Sequence, residues 1–354
     1  MGIYFTIYGY LIVMSFLDLF ITRHGKFQLF MYVCFSIVIF LLVSTREMGF
    51  DYEPYRTIFN NLKSLNLSDI TDPKLVYVEP LYSILNICAP GGFRSVIMIM
   101  AFLNIAFLFP FIYKYSPYPH FSLLLFAGMF MYSGMMGLIR QSLAISIALW
   151  AIVNRNNRRF WIYLIFAIGF HYSAIIVTAV KLFPQRFLKI KTYLKWLLAA
   201  VCSNLFFYNL FVMASALMPT VIAWKLNTYI AEEAGQNFGL NAAVVLRLIT
   251  FSLALYYSNR IFNKFKTDGS YFFNIYFLSL IMYIAFGFLP QMSSRGAVYF
   301  HYFEILLAPM ILYVTNKKLK PIIFFFYAFC SFVRHLDIVT TYSEWYIPYR
   351  SWLF

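Results

Sequence analysis

Arg140, Arg247 and Arg295 are cations placed within or at the mouths of long apolar stretches. An arginine inside a membrane helix costs about 2.5 to 3.5 kcal/mol on insertion scales, so each needs a partner or a wet site. Three of them point to a shared anionic ligand, because a guanidinium offers a planar fork of donors to oxyanions. Arg140 follows the Gly-rich turn Ser133–Gly137 and precedes Gln141, Ser142 and Ala144, small or polar neighbours that let a ligand approach the backbone. Snorkelling to lipid headgroups is the competing explanation for any arginine near a helix end. Arg247 fits a structural role as readily, and Arg334 has Asp337 at i+3 to pair with.

The titratable candidates are three. Asp51 stands where the chain leaves an apolar run, in the stretch Arg46 to Tyr55. Glu79 precedes Pro80 where the chain re-enters one, and its plainest role is a negative charge at a helix amino terminus. His171 lies in Gly169-Phe170-His171-Tyr172-Ser173. A lone histidine on an apolar face is usually structural, which is how His24, His120, His301 and His335 read; His171 differs in sitting at an expected helix break.

The elements that hold these residues belong in a bilayer. Of 354 residues 62% are hydrophobic and 12% charged, with a mean hydropathy of +0.73. That excludes a soluble, fibrous or disordered chain. Apolar windows of spanning size fall at 3–21, 27–44, 93–114, 119–136, 137–153, 160–183, 196–215, 240–258, 271–289, 296–315 and 321–339. The expected architecture is all-α: a polytopic integral membrane protein of about 11 hydrophobic segments. It forms one multi-spanning domain over 1–354, with a long first external loop at 45–92 carrying an amphipathic or re-entrant helix. The first run lacks a basic start and a small-residue cleavage pattern, so it reads as a retained span. Cys34, Cys88, Cys202 and Cys330 are widely separated, which predicts neither a disulfide framework nor a metal site, and no cofactor is expected.

The net charge of +15 sits in short clusters between apolar runs, the pattern of the positive-inside rule and not of nucleic-acid binding. The clusters are Arg23/Lys26, Lys114, Arg155/Arg158/Arg159, Lys181 to Lys195, Arg260/Lys264/Lys266 and Lys317/Lys318/Lys320. With the first of them cytoplasmic, a single crossing at 160–183 would misplace Lys181 to Lys195 and every later cluster. A pair of half-helices meeting near Gly169 to Ser173 and returning to the same side removes the conflict. Broken backbone at that depth is tolerated where it lines a protein-enclosed or wet cavity. The outer side then gathers 46–92, the 132–141 turn, the 216–239 loop, the 291–295 turn and the carboxyl end from 340.

Taken in order, Arg46 with Gly49-Phe50-Asp51-Tyr52 and Tyr55, Glu79-Pro80-Leu81-Tyr82, Gly137-Leu-Ile-Arg140-Gln141-Ser-Leu-Ala144 and Phe170-His171-Tyr-Ser173-Ala174 form a pattern, extended by Arg295 with Tyr299 and by Tyr346 to Tyr349. It resembles the EpsG/Wzy-like bacterial polysaccharide polymerases over nearly the whole chain, with Phe50 standing where a small residue is usual. The resemblance implies an enzyme that joins polyprenyl-diphosphate-linked oligosaccharide repeat units at the outer face of the inner membrane. Its partners would be lipid-linked glycan donor and acceptor, membrane lipid and a chain-length regulator, with no nucleic acid. Arg140, Arg295 and Arg247 would hold the diphosphate in place of a metal, and His171, Asp51 or Glu79 would be the base. Tyr52, Gln141, Tyr299 and Tyr349 would contact sugar or lipid. Two other classes fit the inventory: a metal-dependent membrane glycosyltransferase using a polyprenyl-phosphate sugar, with Asp51 and Glu53 as its acidic pair, and a lipid-linked glycan flippase.

Overall fold

The computed structural model describes residues 2–20, 25–71, 78–215, 217 and 242–353. The expected 216–239 loop (save Leu217), Arg23, His24 and Asp72 lie outside the described residues. In chain order the long elements are α1 (Gly2–Phe20), α2 (Lys26–Ser44), α3 (Tyr52–Lys63), α4 (Pro80–Cys88), α5 (Phe93–Tyr115), α6 (Pro119–Phe126), α7 (Ile139–Val153) and α8 (Arg159–Phe170). After a 3₁₀ segment, Tyr172–Leu182, come α9 (Ile190–Ser215), α10 (Ala242–Tyr256), α11 (Ser258–Ala285), α12 (Pro290–His301), α13 (Glu304–Val314) and α14 (Lys320–Thr341). Among the described residues there is no strand, only a lone antiparallel bridge between Arg46 and Ser351.

Four of these helices, α1, α2, α5 and α14, are long and apolar enough to cross a membrane, and a fifth span arises if α12 and α13, bent by 43°, count as one. The expected count of about 11 is not reached by that measure. Apolar composition runs on through the windows while the backbone does not. Window 119–136 is the eight-residue α6 followed by a wide π turn, Ala127–Met135, and 137–153 and 240–258 yield helices of only 15 residues. In α11 the chain breaks at Lys266, whose φ of 53° is left-handed.

The chain forms two compact units, residues 1–178 with 316–354 and residues 179–315. In the first, α7 packs on α8 and α5, α1 on α6, and α14 on the π turn. Two clusters of buried polar side chains there are bonded across helices. Asp18 of α1 accepts from Gln28 of α2 at 2.9 Å and from the backbone N–H of His120 at 2.9 Å, fastening three helix ends. Asn104 of α5 bonds Ser142 and Ser146 of α7 at 2.8 and 2.7 Å. In the second unit Asn274 of α11 donates to the carbonyls of Pro184 and Arg186, both at 2.8 Å, and accepts from Tyr193 at 2.7 Å.

The 45–92 segment does carry an amphipathic helix. In α3 the buried residues Tyr52, Tyr55, Phe59 and Leu62 recur at helical spacing, while Glu53, Arg56 and Asn60 are exposed. Lys63, in the last turn where the dipole favours a cation, donates to the Ala89 carbonyl at 2.9 Å and ties α3 to the end of α4.

Candidate active site

Three segments far apart in sequence meet at one carboxylate. The hairpin of α7 and α8, joined by the basic turn Asn154 to Arg158, brings the first turn of α7 and the last turn of α8 to the same end. Arg140 is the second residue of α7. His171 follows the last residue of α8 in extended conformation (φ −157°, ψ 118°), so the helix stops there, as the charge pattern predicts. Gly169 lies so close to Leu81 of α4 that a Cβ would collide with it, which sets the start of α4 against the end of α8.

Glu79 is the hub. It is 4% exposed, and its Oε2 accepts from Arg140 Nη1 at 2.5 Å. Its Oε1 accepts from the Tyr172 backbone N–H at 3.3 Å and lies 3.0 Å from His171 Nδ1. Glu79 does place its charge at the amino terminus of α4, with the extended N-cap backbone and Pro80 in the first turn, but its side chain makes no capping bond there and turns to Arg140 and His171 instead. Burial raises the Glu79 carboxyl, yet the His171 ring nitrogen and the Arg140 charge lower it more, and the balance leaves it at about 2. So weak a base stays ionised at any physiological pH.

The Arg140 guanidinium stands 5.4 Å from the ring centroids of both Tyr55 and Tyr82, within cation–π range. Tyr55 is buried on α3, and burial pushes its phenol up despite the Arg140 charge, so it remains a neutral donor. Asp51, half-buried, ends the loop one turn before Tyr55, and Glu53 is exposed and pairs with Arg56 at 3.7 Å. These two acids therefore occupy different environments. Tyr52 and Gln141 are buried, and Tyr349 is half-buried with its hydroxyl donated to the Leu42 carbonyl at 2.7 Å.

In the second unit Arg247 of α10 lies 3.9 Å from the face of Tyr283 and bonds His301 Nδ1 at 3.2 Å. His301 Nε2 in turn lies 2.7 Å from Glu304 Oε2, and the other Glu304 oxygen accepts from Thr250 at 2.9 Å. An arginine only donates, so His301 Nδ1 must accept and its proton is on Nε2, aimed at Glu304. His301 and Glu304 flank the bend between α12 and α13. Sequence reasoning took His301 for a solitary structural histidine. The usable signal was Glu304, an acid within an apolar run three residues on. Arg295 is exposed on α12 and Tyr299 is fully buried on the same helix. Arg334 and Asp337 pair at 3.1 Å on the surface of α14, as their spacing predicts.

Apolar helices long enough to cross a membrane, with a buried Glu79 carboxylate held between Arg140 and His171 at helix ends, define the class: a helical membrane protein with a cluster of titratable groups. The EpsG family model matches residues 28–351, nearly the whole chain. The protein belongs to the EpsG family, a Wzy-like family of polysaccharide polymerases. No curated protein and no solved structure matches it.

Proposed function

We propose that the chain polymerises polyprenyl-diphosphate-linked oligosaccharide repeat units, with its active site at Glu79, Arg140 and His171 facing the outer side of the inner membrane. The observation that carries this reading is the contact of Glu79 with both other residues at 3.0 Å or less. Nδ1 of His171 approaches Glu79 at 3.0 Å without an aligned hydrogen bond, and the ionised carboxylate beside it favours the proton on that nitrogen, which leaves the Nε2 lone pair for a substrate. His171 is the base. It accepts the proton of an acceptor sugar hydroxyl as the oxygen attacks the anomeric carbon of the donor. The bond from that carbon to the diphosphate oxygen breaks, and the polyprenyl diphosphate departs with the electron pair. Arg140, still 22% exposed along its side chain, offers charge to the developing anion, and Arg247 and Arg295 of the other unit are separate candidates for binding a diphosphate. Asp51, Tyr52, Gln141 and Tyr349 orient sugar and lipid, with Tyr299 a separate candidate in the other unit.

The return of the broken segment rests on the basic cluster Lys181 to Lys195, which a single crossing would carry outward. At 1.5 Å per residue the 12 residues of α8 reach about 18 Å from the basic turn, past the midplane of a core about 30 Å thick. The 11 residues of the 3₁₀ segment cover about 22 Å, a length that serves a return and a completed crossing alike. The test is to incubate purified protein with lipid-linked repeat units and look for a ladder of added units. Absence of a ladder with the authentic repeat unit would end the polymerase reading, and a ladder abolished by stripping divalent cations would favour the metal-dependent glycosyltransferase.

A further inference from the structure

Arg46 ends the first membrane hairpin and is 2% exposed, so it does not snorkel. Its Nη1 donates to the Met48 carbonyl at 2.5 Å, and its guanidinium carbon lies 5.9 Å from the Tyr52 ring. Among the described residues no carboxylate is within ion-pair distance of it, and its Nε finds no acceptor. The groups that bear on its charge are the phenols of Tyr346, Tyr52, Tyr349 and Tyr55, all neutral. Elsewhere in the same unit Arg140 is matched by Glu79, Arg94 by Glu47 at 2.6 Å and Arg334 by Asp337. A buried cation is kept in a fold when something pairs with it, and Arg46 is paired with nothing of opposite sign among the described residues.

The surroundings look built to enclose an occupant. Gly49, at φ +133°, passes between the Arg46 guanidinium and the Met136 carbonyl where no Cβ fits, wrapping the loop round the cation. Over it runs the carboxyl-terminal strap. Glu47 N–H bonds the Arg350 carbonyl at 3.0 Å, Trp352 N–H the Thr45 carbonyl at 3.1 Å, and the Ser351 and Thr45 hydroxyls meet at 2.9 Å. Tyr55 lies within electrostatic reach of both Arg46 and Arg140.

We propose that Arg46 is a phosphate-binding residue for a lipid-linked sugar, covered by the strap 349–352 while no lipid is bound. This rests on the polymerase reading and deepens it. Joining two lipid-linked units brings two diphosphates to the enzyme; Arg140 offers its charge to the leaving one, and Arg46, beside which no carboxylate stands among the described residues, binds the other. Tyr346 and Tyr349 already donate to the Tyr132 and Leu42 carbonyls, so Tyr52 and Tyr55 supply donors to the remaining oxygens, and the rings offer flat faces to a sugar or prenyl chain.

The test uses the full chain in lipid nanodiscs with farnesyl diphosphate as probe, and with farnesol and inorganic pyrophosphate as the separate tail and anion. Wild type binds farnesyl diphosphate, Arg46→Gln binds it roughly 10- to 100-fold more weakly, and Arg46→Lys falls between. A folded Arg46→Gln protein that binds as wild type does overturns the assignment. The second variant pairs Thr45→Cys with Ser351→Cys, in a chain whose four native cysteines are serine, to lock the strap. Oxidation should abolish binding and reduction restore it; equal binding in both states overturns the covered site, and this pair decides alone if Arg46→Gln does not fold. Wild type that binds none of the three probes would count against the polymerase reading itself, whereas wild-type binding unaffected by either variant removes Arg46 alone. Binding of pyrophosphate as tight as that of farnesyl diphosphate would show a site for free anion and overturn the lipid assignment.

Discussion

Each unit of the molecule holds a glutamate, a histidine and an arginine in contact, and the order of the three differs. Around Glu79 the carboxylate is central, with Arg140 on one oxygen and His171 Nδ1 near the other. In the other unit the imidazole is central: His301 joins Glu304 on Nε2 to Arg247 on Nδ1. A histidine at the end of such a chain keeps one nitrogen for a substrate, while a histidine in the middle has both engaged. On the proposed reading the same three residue types make a proton acceptor in one place and a brace for an arginine in the other. His171 has a side chain 28% exposed against 12% for His301, in keeping with that division.

The largest expected effect belongs to the proton acceptor. His171→Ala should lower polymerisation turnover by about 10² to 10⁴ with little change in donor affinity, the range for loss of a general base. His301→Ala should act mainly on donor affinity, because it releases Arg247. Equal turnover losses in the two variants would dissolve the distinction between end and middle.

Arg140→Ala and Arg295→Ala should each abolish polymer, and Arg140→Lys should restore only part, because a point charge lacks the guanidinium fork. Near-normal ladders in Arg295→Ala would indicate headgroup snorkelling, and in Arg140→Ala a purely structural role for its pair with Glu79. Arg140 carries a second penalty, since its removal strands Glu79 as a buried unpaired charge, which costs about 3 to 5 kcal/mol in comparable pairs. The double variant Glu79→Gln with Arg140→Gln should therefore be more stable to heat than Arg140→Ala. A double variant no more stable would place the pair's worth in packing.

A smaller effect concerns acid. The folded Glu79 carboxyl, at about 2, lies below its ordinary value of 4.5, so its contribution is complete above that value and is lost as pH falls toward 2. The shift corresponds to about 3 kcal/mol. Thermal unfolding measured from pH 6 to 2.5 should show a decline in wild type that is reduced in Glu79→Gln; parallel curves would assign the acid sensitivity to other groups.

The gentlest test is a label. Cysteines placed at Lys189 and Lys318 should react from the cytoplasmic side and at residues 55–71 and 345–353 from the outside. Labelling of Lys189 and Lys318 positions on opposite sides would rule out a returning broken segment.

Much of the site was legible because its members are chemically out of place. Glu79, Arg140 and His171 stand in apolar or Gly-rich sequence with no local partner, and the helix break at His171 could be inferred from the sidedness of charge. Their grouping on one carboxylate was not legible, since it depends on α4 meeting α8 through Gly169 and Leu81. Arg46 was legible as part of a motif, but nothing local distinguishes a wrapped arginine from one reaching headgroups. The short helices were hidden for another reason: hydropathy reports burial in lipid or protein alike and does not register where an apolar backbone turns.

The π turn has a consequence for how the chain tolerates change in length. Its backbone bonds run five residues back, as from Met136 to Met131 and from Leu138 to Ser133, so it holds more residues than an α-helix of equal rise. Deleting one residue between Ala127 and Met135 uses up that surplus and shortens the path to the non-helical turn 136–138, which draws the first turn of α7 back along the chain. Arg140 would be pulled off its place against Glu79. The surplus residue sets where α7 begins. A one-residue deletion there should abolish polymer where a deletion in the exposed Ser64 to Asn66 loop is tolerated, making this buried apolar stretch less forgiving of length than of composition.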